Sequence, residues 1–440
     1  MESGNSALCV GELFAGIGGF RVGLEGLGTK ENPGADGYEV VFSNQWEPGE
    51  RSQIASKVYV DKFGADGHTN QDIFEIVRNK EKFDAILDMK LDMLVGGFPC
   101  QDYSVARLAH QANGLSGEKG VLWWAIYDFL RLSREAGQPL KYVFLENVDN
   151  LIAAGRGCKG RDFAVILSCF ASLGYAVEWR VVHSADHGWP QQRRRTFILA
   201  YHQSTNIGMK LSQSASKEWL QSSGVIAATY PVEDIAAKSL STFGLGADPV
   251  AAQASYLPTK NGKSAFLRGG VFANGVVVTT PVKPIKSITL EAAQSGVHTL
   301  GDVVDKTLIA PEELYISDER LPGWLKAKGG RKVQKVNAAG QAWTYSEGAM
   351  SFPERLDRAS RTIITSEGGI TPLRTKHAVK DNLGRLRRLT PDELDELSGF
   401  PRGWTNAAGA TANQRAKLVG NALITGVVMQ IGKALKTLIH

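Results

Sequence analysis

A single cysteine stands where a strand should end, in Gly96-Gly97-Phe98-Pro99-Cys100-Gln101-Asp102-Tyr103-Ser104. Leu94-Val95 closes a short apolar run, the two glycines force a sharp exit, and Pro99 fixes the backbone just before the thiol. A thiol at the lip of a sheet is a candidate nucleophile. Residue type alone favours a buried structural cysteine, so the weight falls on what accompanies it. A second apolar run, Tyr142-Val143-Phe144-Leu145, breaks off into Glu146-Asn147-Val148. The carboxyl ends of buried strands are where α/β sheets place their chemistry, and Glu146 there could hold or share a proton near neutral pH. Further on, His187-Gly188-Trp189-Pro190-Gln191-Gln192 leads into Arg193-Arg194-Arg195 and a strand over 196–200. Such cations hold phosphates and oxyanions, although a run of three is by itself usually a solvated face.

These groups need a scaffold and a ligand. The opening strand runs from Ala7 to Phe14 into Ala15-Gly16-Ile17-Gly18-Gly19-Phe20, then into a helical segment up to about Leu27. Strand, glycine turn and helix bring backbone amides close to a nucleotide-like ligand. The dinucleotide fingerprint is not met, because its third glycine would fall at Arg21; a nicotinamide dehydrogenase is thereby excluded. A second strand over 38–43 ends in Asn44-Gln45-Trp46-Glu47, offering an acidic group for a ribose and an aromatic face for an adenine. Asn70-Gln71-Asp72-Ile73 ends another loop with a carboxylate suited to an exocyclic amine.

The chain of 440 residues has room for two or three domains. Its 43% hydrophobic and 22% charged residues are those of an ordinary globular protein, and a net charge of +5 permits a nucleic-acid partner without requiring one. Cys9, Cys100, Cys158 and Cys169 are too scattered for a disulfide framework, and neither CxxC nor HExxH spacing occurs, so no metal is expected. The start is polar and no apolar run approaches the ~20 residues a bilayer needs, which points to a cytoplasmic protein with no membrane partner.

Strand–helix alternation fades near Tyr201. The expected organisation is a catalytic domain over 1–202, a recognition region over 203–355, the rest of a small domain over 356–411, and a returning C-terminal helix over 412–440. The middle region is rich in Ser, Ala and Gly, with short β-like runs such as 275–280. The basic run around Lys326, Lys328, Arg331, Lys332 and Lys335 reads as a flexible element for phosphate contacts. The loop over 111–120, punctuated by glycines, reads as a lid beside the nucleophile. Thr390-Pro391-Asp392-Glu393 is a strong helix start, and an amphipathic helix from about Gln414 is interrupted at Gly420-Asn421-Ala422.

Taken together, these segments resemble the DNA (cytosine-5) methyltransferases of bacterial and phage modification systems. Phe14-Ala15-Gly16-Ile17-Gly18-Gly19 is similar to the family's cofactor motif, Gly97-Phe98-Pro99-Cys100-Gln101 to its nucleophile motif, and Glu146-Asn147-Val148 to its acid motif. Gln191-x-Arg193-x-Arg195 resembles the arginine motif, the 388–401 segment the ninth motif, and Gly420-Asn421-Ala422 the tenth. The order is the family's, and the resemblance covers roughly 8–202 and 356–440.

The resemblance implies an α/β fold: a doubly wound sheet of the S-adenosylmethionine-dependent methyltransferase type, with a smaller, irregular β-rich target-recognition domain. It implies a sequence-specific enzyme that methylates C5 of a flipped-out cytosine in double-stranded DNA through a covalent Cys100–C6 adduct. Glu146 would contact N3 and the amino group. Arg193 and Arg195 would steady the site, with Arg195 on the base. The cofactor is expected at Phe14, Ala15, Gly16, Ile17, Gly18, Gly19, Gln45, Trp46, Glu47, Asp72, Ile73, Pro99, Asn421 and Ala422. DNA contacts are expected from Gln101, Ser104, Lys328, Arg331 and Lys332. Many family members carry an acid where Gln45 stands, so the ribose contact falls to Gln45 or shifts to Glu47. The chain is expected to be a monomer, with any cognate restriction endonuclease acting independently. Two rival readings are a tRNA cytosine-5 methyltransferase, disfavoured by the long middle region, and an inactive DNA-binding regulator, disfavoured by the presence of Cys100, Glu146 and Arg195.

Overall fold

The computed structural model describes residues 7–29, 32–98, 122–155, 157–305, 307–336 and 340–439. Pro99, Cys100, Gln101, Ser104 and the expected lid lie outside the described residues. The sheet begins with β1 (Leu8–Leu13), β2 (Tyr38–Asn44), β3 (His68–Thr69), β4 (Met93–Gly97) and β5 (Tyr142–Val148), all parallel. β5 is buried along nearly its whole length, as a strand covered on both faces must be. Next in the chain come β6 (Tyr175–His183), β7 (Gln191–Gln192) and β8 (Arg194–His202), with β8 running antiparallel between β5 and β6.

The sheet does not stop at His202. β9 (Ser241–Gly244), β10 (Gly269–Ala273) and β11 (Val276–Thr280) extend it beyond β6, giving the order β3-β2-β1-β4-β5-β8-β6-β10-β11-β9. The shift in composition at 203 therefore does not coincide with an edge of the sheet. β10 is buried because it pairs with β6 on one side and β11 on the other, and Gly270 lies where a Cβ would strike the Trp179 ring at 2.0 Å.

Two apolar layers cover the sheet. On one face the helices Trp123–Glu135 and Arg161–Ser172 bring Trp123, Phe129, Phe163 and Phe170. On the other, the helices Gly19–Leu24 and Thr425–Ile439 bring Phe20, Leu24, Val428 and Ile431. The stretch 412–439 is long and apolar enough by composition to cross a membrane, but 78% of its most apolar window is buried inside the protein. It is two helices, Ala412–Asn421 and Thr425–Ile439, broken where the sequence predicts.

A smaller core gathers Leu300, Val303, Ile363, Val379, Leu389, Leu394, Leu397, Ala416 and Val419. The helix Ala412–Asn421 thus joins the small core through Ala416 and Val419 and the cluster of Ile17, Val22 and Val58 through Leu418, while the last helix packs on the sheet. Thr390 caps the helix Pro391–Leu397 in a reciprocal box with Glu393, as its sequence predicts. The basic run expected to be flexible is instead ordered: Lys326 and Lys328 end the helix Leu321–Lys328, and β12 (Arg331–Val336) pairs with β13 (Ala342–Glu347) as an exposed antiparallel hairpin.

Candidate active site

Strand order reverses between β1 and β4, and α/β sheets bind ligands outside the carboxyl ends of strands at such a switch point. β1 delivers the glycine turn there, and β4 leads directly into Pro99-Cys100. The turn has positive φ at Phe14 (54°), Gly16 (58°) and Gly18 (86°). This is a costly backbone for Phe14 and an easy one for the glycines. Gly16 opens outward: a Cβ there would meet nothing nearer than Phe14 O at 4.0 Å. Gly18 is closed, because a Cβ would lie 2.3 Å from Phe63 Cε2. Room for a ligand is therefore at Gly16, while Gly18 makes space for a ring of the protein itself. Gly19 backs onto Leu423, just beyond Ala422 in the tenth motif, where a Cβ would meet the Leu423 side chain at 3.1 Å.

The side chains around the turn divide between scaffold and rim. Gln45 is buried and its Oε1 accepts from Gly16 N at 2.7 Å, so that end of the amide supports the turn. Trp46 and Glu47 are half-buried at the end of β2, and Glu47 Oε2 lies 3.5 Å from Lys417 Nζ. Asp72 caps the helix Ile73–Arg78, its Oδ1 accepting from Phe74 N at 2.9 Å, and Ile73 is buried. Asn421 is exposed at the end of its helix, with Ala422 half-buried after it. Trp404, from the ninth-motif segment, donates from Nε1 to Ile17 O at 2.9 Å and stacks on Phe400, clamping the small domain to the turn.

Beneath the turn lies a buried polar cluster that the sequence did not announce. Glu12 on β1 accepts from Tyr59 Oη at 3.0 Å, and its other oxygen has no hydrogen-bond partner. Burial pushes this carboxyl up to about 8, against the opposing hydrogen bond from Tyr59 and the charge of Arg21. His68 stacks on Tyr59 at 4.7 Å between Ser43 and Ser56, and burial holds it down to about 4.

At the other side of the switch point, Glu146 lies within β5 rather than just past it, and Arg195 lies within β8. In the antiparallel register Glu146 faces Phe197 and Val148 faces Arg195, so Glu146 and Arg195 share a face one step apart. Arg195 Nε is 2.6 Å from Glu146 Oε1. Glu146 Oε2 sits over Gly97, where a Cβ would come within 3.2 Å, so the second glycine of the nucleophile motif leaves room for the carboxylate. Asn147 is buried; it donates from Nδ2 to Phe98 O at 2.8 Å and accepts from Val148 N at 2.9 Å. The acid strand thus grips the root of the segment that carries Cys100.

Arg193 departs from its expected place. Its side chain is wholly enclosed, donating to Ile363 O at 3.1 Å and Gly420 O at 3.0 Å, and so ties the sheet to the small domain. Burial, with Arg195 nearby, lowers its pKa to about 9 despite Glu146. Lys328 also departs. It is 2% exposed, its Nζ lies 3.2 Å from Glu354 Oε1 and also donates to Lys376 O, so it is no phosphate contact. Arg331 and Lys332 are exposed on the hairpin, Arg331 paired with Glu347 Oε2 at 2.5 Å. No group of three or more potential metal ligands occurs among the described residues.

A sheet with a parallel half, a glycine turn at its switch point, and an acid–arginine pair beside the end of β4 is the arrangement of a methyltransferase sheet. The chain belongs to the C-5 cytosine-specific DNA methylases, whose family model matches residues 8–437. It is 34% identical over 428 residues to the type II methyltransferase M.Sau3AI of Staphylococcus aureus, covering 97% of this chain and 94% of that one. M.HpaII of Haemophilus parainfluenzae is 33% identical over 198 residues, 44% of this chain and 46% of its own. Among solved structures, a mutant DNMT2 of Spodoptera frugiperda shares the fold with a TM-score of 0.56, at 13% identity over 99% of this chain and 100% of that one. The protein is a DNA (cytosine-5) methyltransferase of the type II, restriction-modification kind.

Proposed function

We propose that the chain methylates C5 of a cytosine swung out of duplex DNA, with Cys100 adding to C6 and S-adenosylmethionine as donor, in a restriction-modification or phage protection system. The observation that carries this reading is the Glu146–Arg195 pair beside the exit of β4, with Asn147 holding Phe98 two residues ahead of Cys100. The donor supplies a methyl group made electrophilic by its sulfonium. The turn fits it: Gly16 faces open space, Trp46 offers a face for the adenine, and Glu47 can accept from the ribose. Asp72 can accept from the amine through the oxygen not used in capping.

Cytosine C5 is a poor nucleophile until C6 is attacked. Formation of the S–C6 bond makes C5 electron-rich, and Glu146, contacting N3 and the amino group, stabilises the ring as charge develops. C5 then takes the methyl group, loses its proton to a base, and the S–C6 bond breaks to return the thiolate. Arg195 holds Glu146 in place and faces the base, while Arg193 keeps the two domains aligned around the pair. The base must leave the helix to reach Cys100, at a cost of a few kcal/mol. Because the match to M.Sau3AI spans 97% of the chain, it takes in the 203–355 region, and we propose that the two proteins read the same DNA site.

The test uses duplex DNA carrying 5-fluorocytosine at the target. With no C5 proton to lose, the enzyme should remain attached after methyl transfer, as a complex that survives boiling in detergent and forms only with S-adenosylmethionine. Cys100→Ser should give no adduct and lose at least about 10³-fold in rate, a barrier change of about 4 kcal/mol. Residual activity within tenfold of wild type would place the nucleophile elsewhere. Preferred labelling of tRNA would replace DNA as substrate.

A further inference from the structure

The hairpin of β12 and β13 stands apart from every core in the molecule. All six residues of β12 are exposed, and β13 is only slightly less so. Its register puts Arg331, Val333 and Lys335 opposite Glu347, Tyr345 and Trp343 on one face. That face is internally satisfied and rooted in the body of the protein. Lys335 Nζ lies 4.1 Å from the Tyr345 ring centre and 5.7 Å from that of Trp343. Glu347 joins Arg331 and also Arg374, whose guanidinium bonds Gly329 O. The opposite face carries Lys332, Gln334, Thr344 and Ser346, with Gln334 Nε2 donating to Thr344 Oγ1 at 2.9 Å. Lys332 has no ion-pair partner among the described residues.

An isolated two-stranded ribbon is marginal in water unless something else holds it. Here the cation–aromatic clamp and the Arg374 root stiffen one face, and the other, polar except for Val336 and Ala342 towards its far end, has no packing partner among the described residues. A two-stranded ribbon has the width of the DNA major groove, and glutamine, lysine, serine and threonine are side chains that read base edges there. The charge also fits. From 326 to 347 the only carboxylate is Glu347, already held by two arginines, against five lysines and arginines.

We propose that this ribbon lies in the major groove of the target duplex, with the Lys332–Gln334–Thr344–Ser346 face reading base edges. The inference rests on the methyltransferase reading above and names the element that selects its site. The test is bisulfite sequencing of DNA from cells expressing wild type or the Gln334→Ala/Thr344→Ala double variant, both exposed and outside every core. Wild type should methylate one short sequence; absence of any methylation would overturn the enzyme reading itself. The double variant should lose at least tenfold in preference for one base pair of that sequence. An unchanged site at an unchanged rate would overturn the ribbon alone. If the variant methylates nothing, binding to a non-cognate duplex decides. Retained binding supports the ribbon, since only readout is lost; lost binding counts against it, since two uncharged side chains carry no sequence-independent affinity.

Discussion

Phe144 and Arg387 are both wholly buried, and they are buried by different means. Phe144, in the middle of the sheet, meets Phe20 edge-on at 5.1 Å and Phe197 at 6.0 Å, one ring among many apolar neighbours. Arg387, in the small domain, is held by two bonds to Glu393 at 2.7 and 2.8 Å, one to Asp305 O at 3.0 Å and one to Arg388 O at 3.1 Å, with only its Nε left without a hydrogen-bond partner. The same holds around them. The sheet is filled by aromatic and branched side chains, whereas the smaller half is knotted by the ion pairs Lys328–Glu354, Arg361–Glu354 and Arg415–Asp395 and by the contact of His377 with Glu367. Apolar packing has no direction, so any well-shaped filling serves. Buried ion pairs fix both position and orientation, and each partner depends on the other.

The largest effect expected from this difference is on stability. Glu393→Gln leaves Arg387 buried without its charge partner and should cost about 3–5 kcal/mol. Replacing both, Arg387→Met with Glu393→Leu, should recover most of that loss, less about 1 kcal/mol for the broken capping box. Denaturant unfolding of the three proteins checks it. A double variant as unstable as the single one would mean that the small domain is held by packing after all.

Acidity should separate the halves by sign. Burial raises the folded pKa of Glu12 to about 8, so its stabilising contribution is complete below the unfolded value near ~4.3 and is lost as pH rises towards 8. Glu367 behaves oppositely. Burial alone would raise its pKa, but the His377 ring and amide more than offset that and hold it low. Its contribution is present above ~4.3 and is lost as pH falls through the folded value. Glu12→Gln should therefore flatten the decline in stability between about pH 5 and 8, an effect of up to a few kcal/mol. Glu367→Gln should lower stability at neutral pH and flatten the acid limb. Unfolding curves from about pH 2 to about pH 9 with the same slope in both variants would remove the contrast.

The smallest effect is at the hairpin and the lysine that precedes it. Lys332→Ala should reduce the salt dependence of duplex binding by about one unit of slope, and Lys328→Met by none. Melting temperature should respond the other way round, falling for Lys328→Met alone. A slope change at Lys328 would return it to the surface.

The two halves also differ in how far they were legible. Cys100, Glu146 and Arg195 stand in short motifs whose chemistry reads directly from residue type, and the strand ends that hold Glu146 and Arg195 follow from apolar runs. Asn147 lay inside a motif already singled out, yet its bond to Phe98 O joins residues 49 apart, and no local pattern signals that. Phe63 under Gly18 was hidden for the same reason. Lys328 was misread because a lysine in a basic run is ordinarily solvated, and Glu354, which captures it, lies 26 residues on. The sheet's continuation past 203 was missed because β10 and β11 are brief and set among serines, alanines and glycines. Their burial comes from neighbours supplied by β6, not from their own composition.

Tyr38 Oη donates to Gly432 O at 2.7 Å across 394 positions of sequence, and Gly23 lies against Val428. A helix made early in synthesis is thus completed by one made much later. At ~5–20 residues per second, the apolar side of the Gly19–Leu24 helix waits roughly 20–80 s for its cover. During that interval the nascent chain already carries Cys100 and Glu146 but lacks the Thr425–Ile439 helix that covers one face of the sheet. A chain stopped before the Thr425–Ile439 helix would therefore expose the apolar side of the Gly19–Leu24 helix, and the delay sets how long the nascent protein carries that exposed surface.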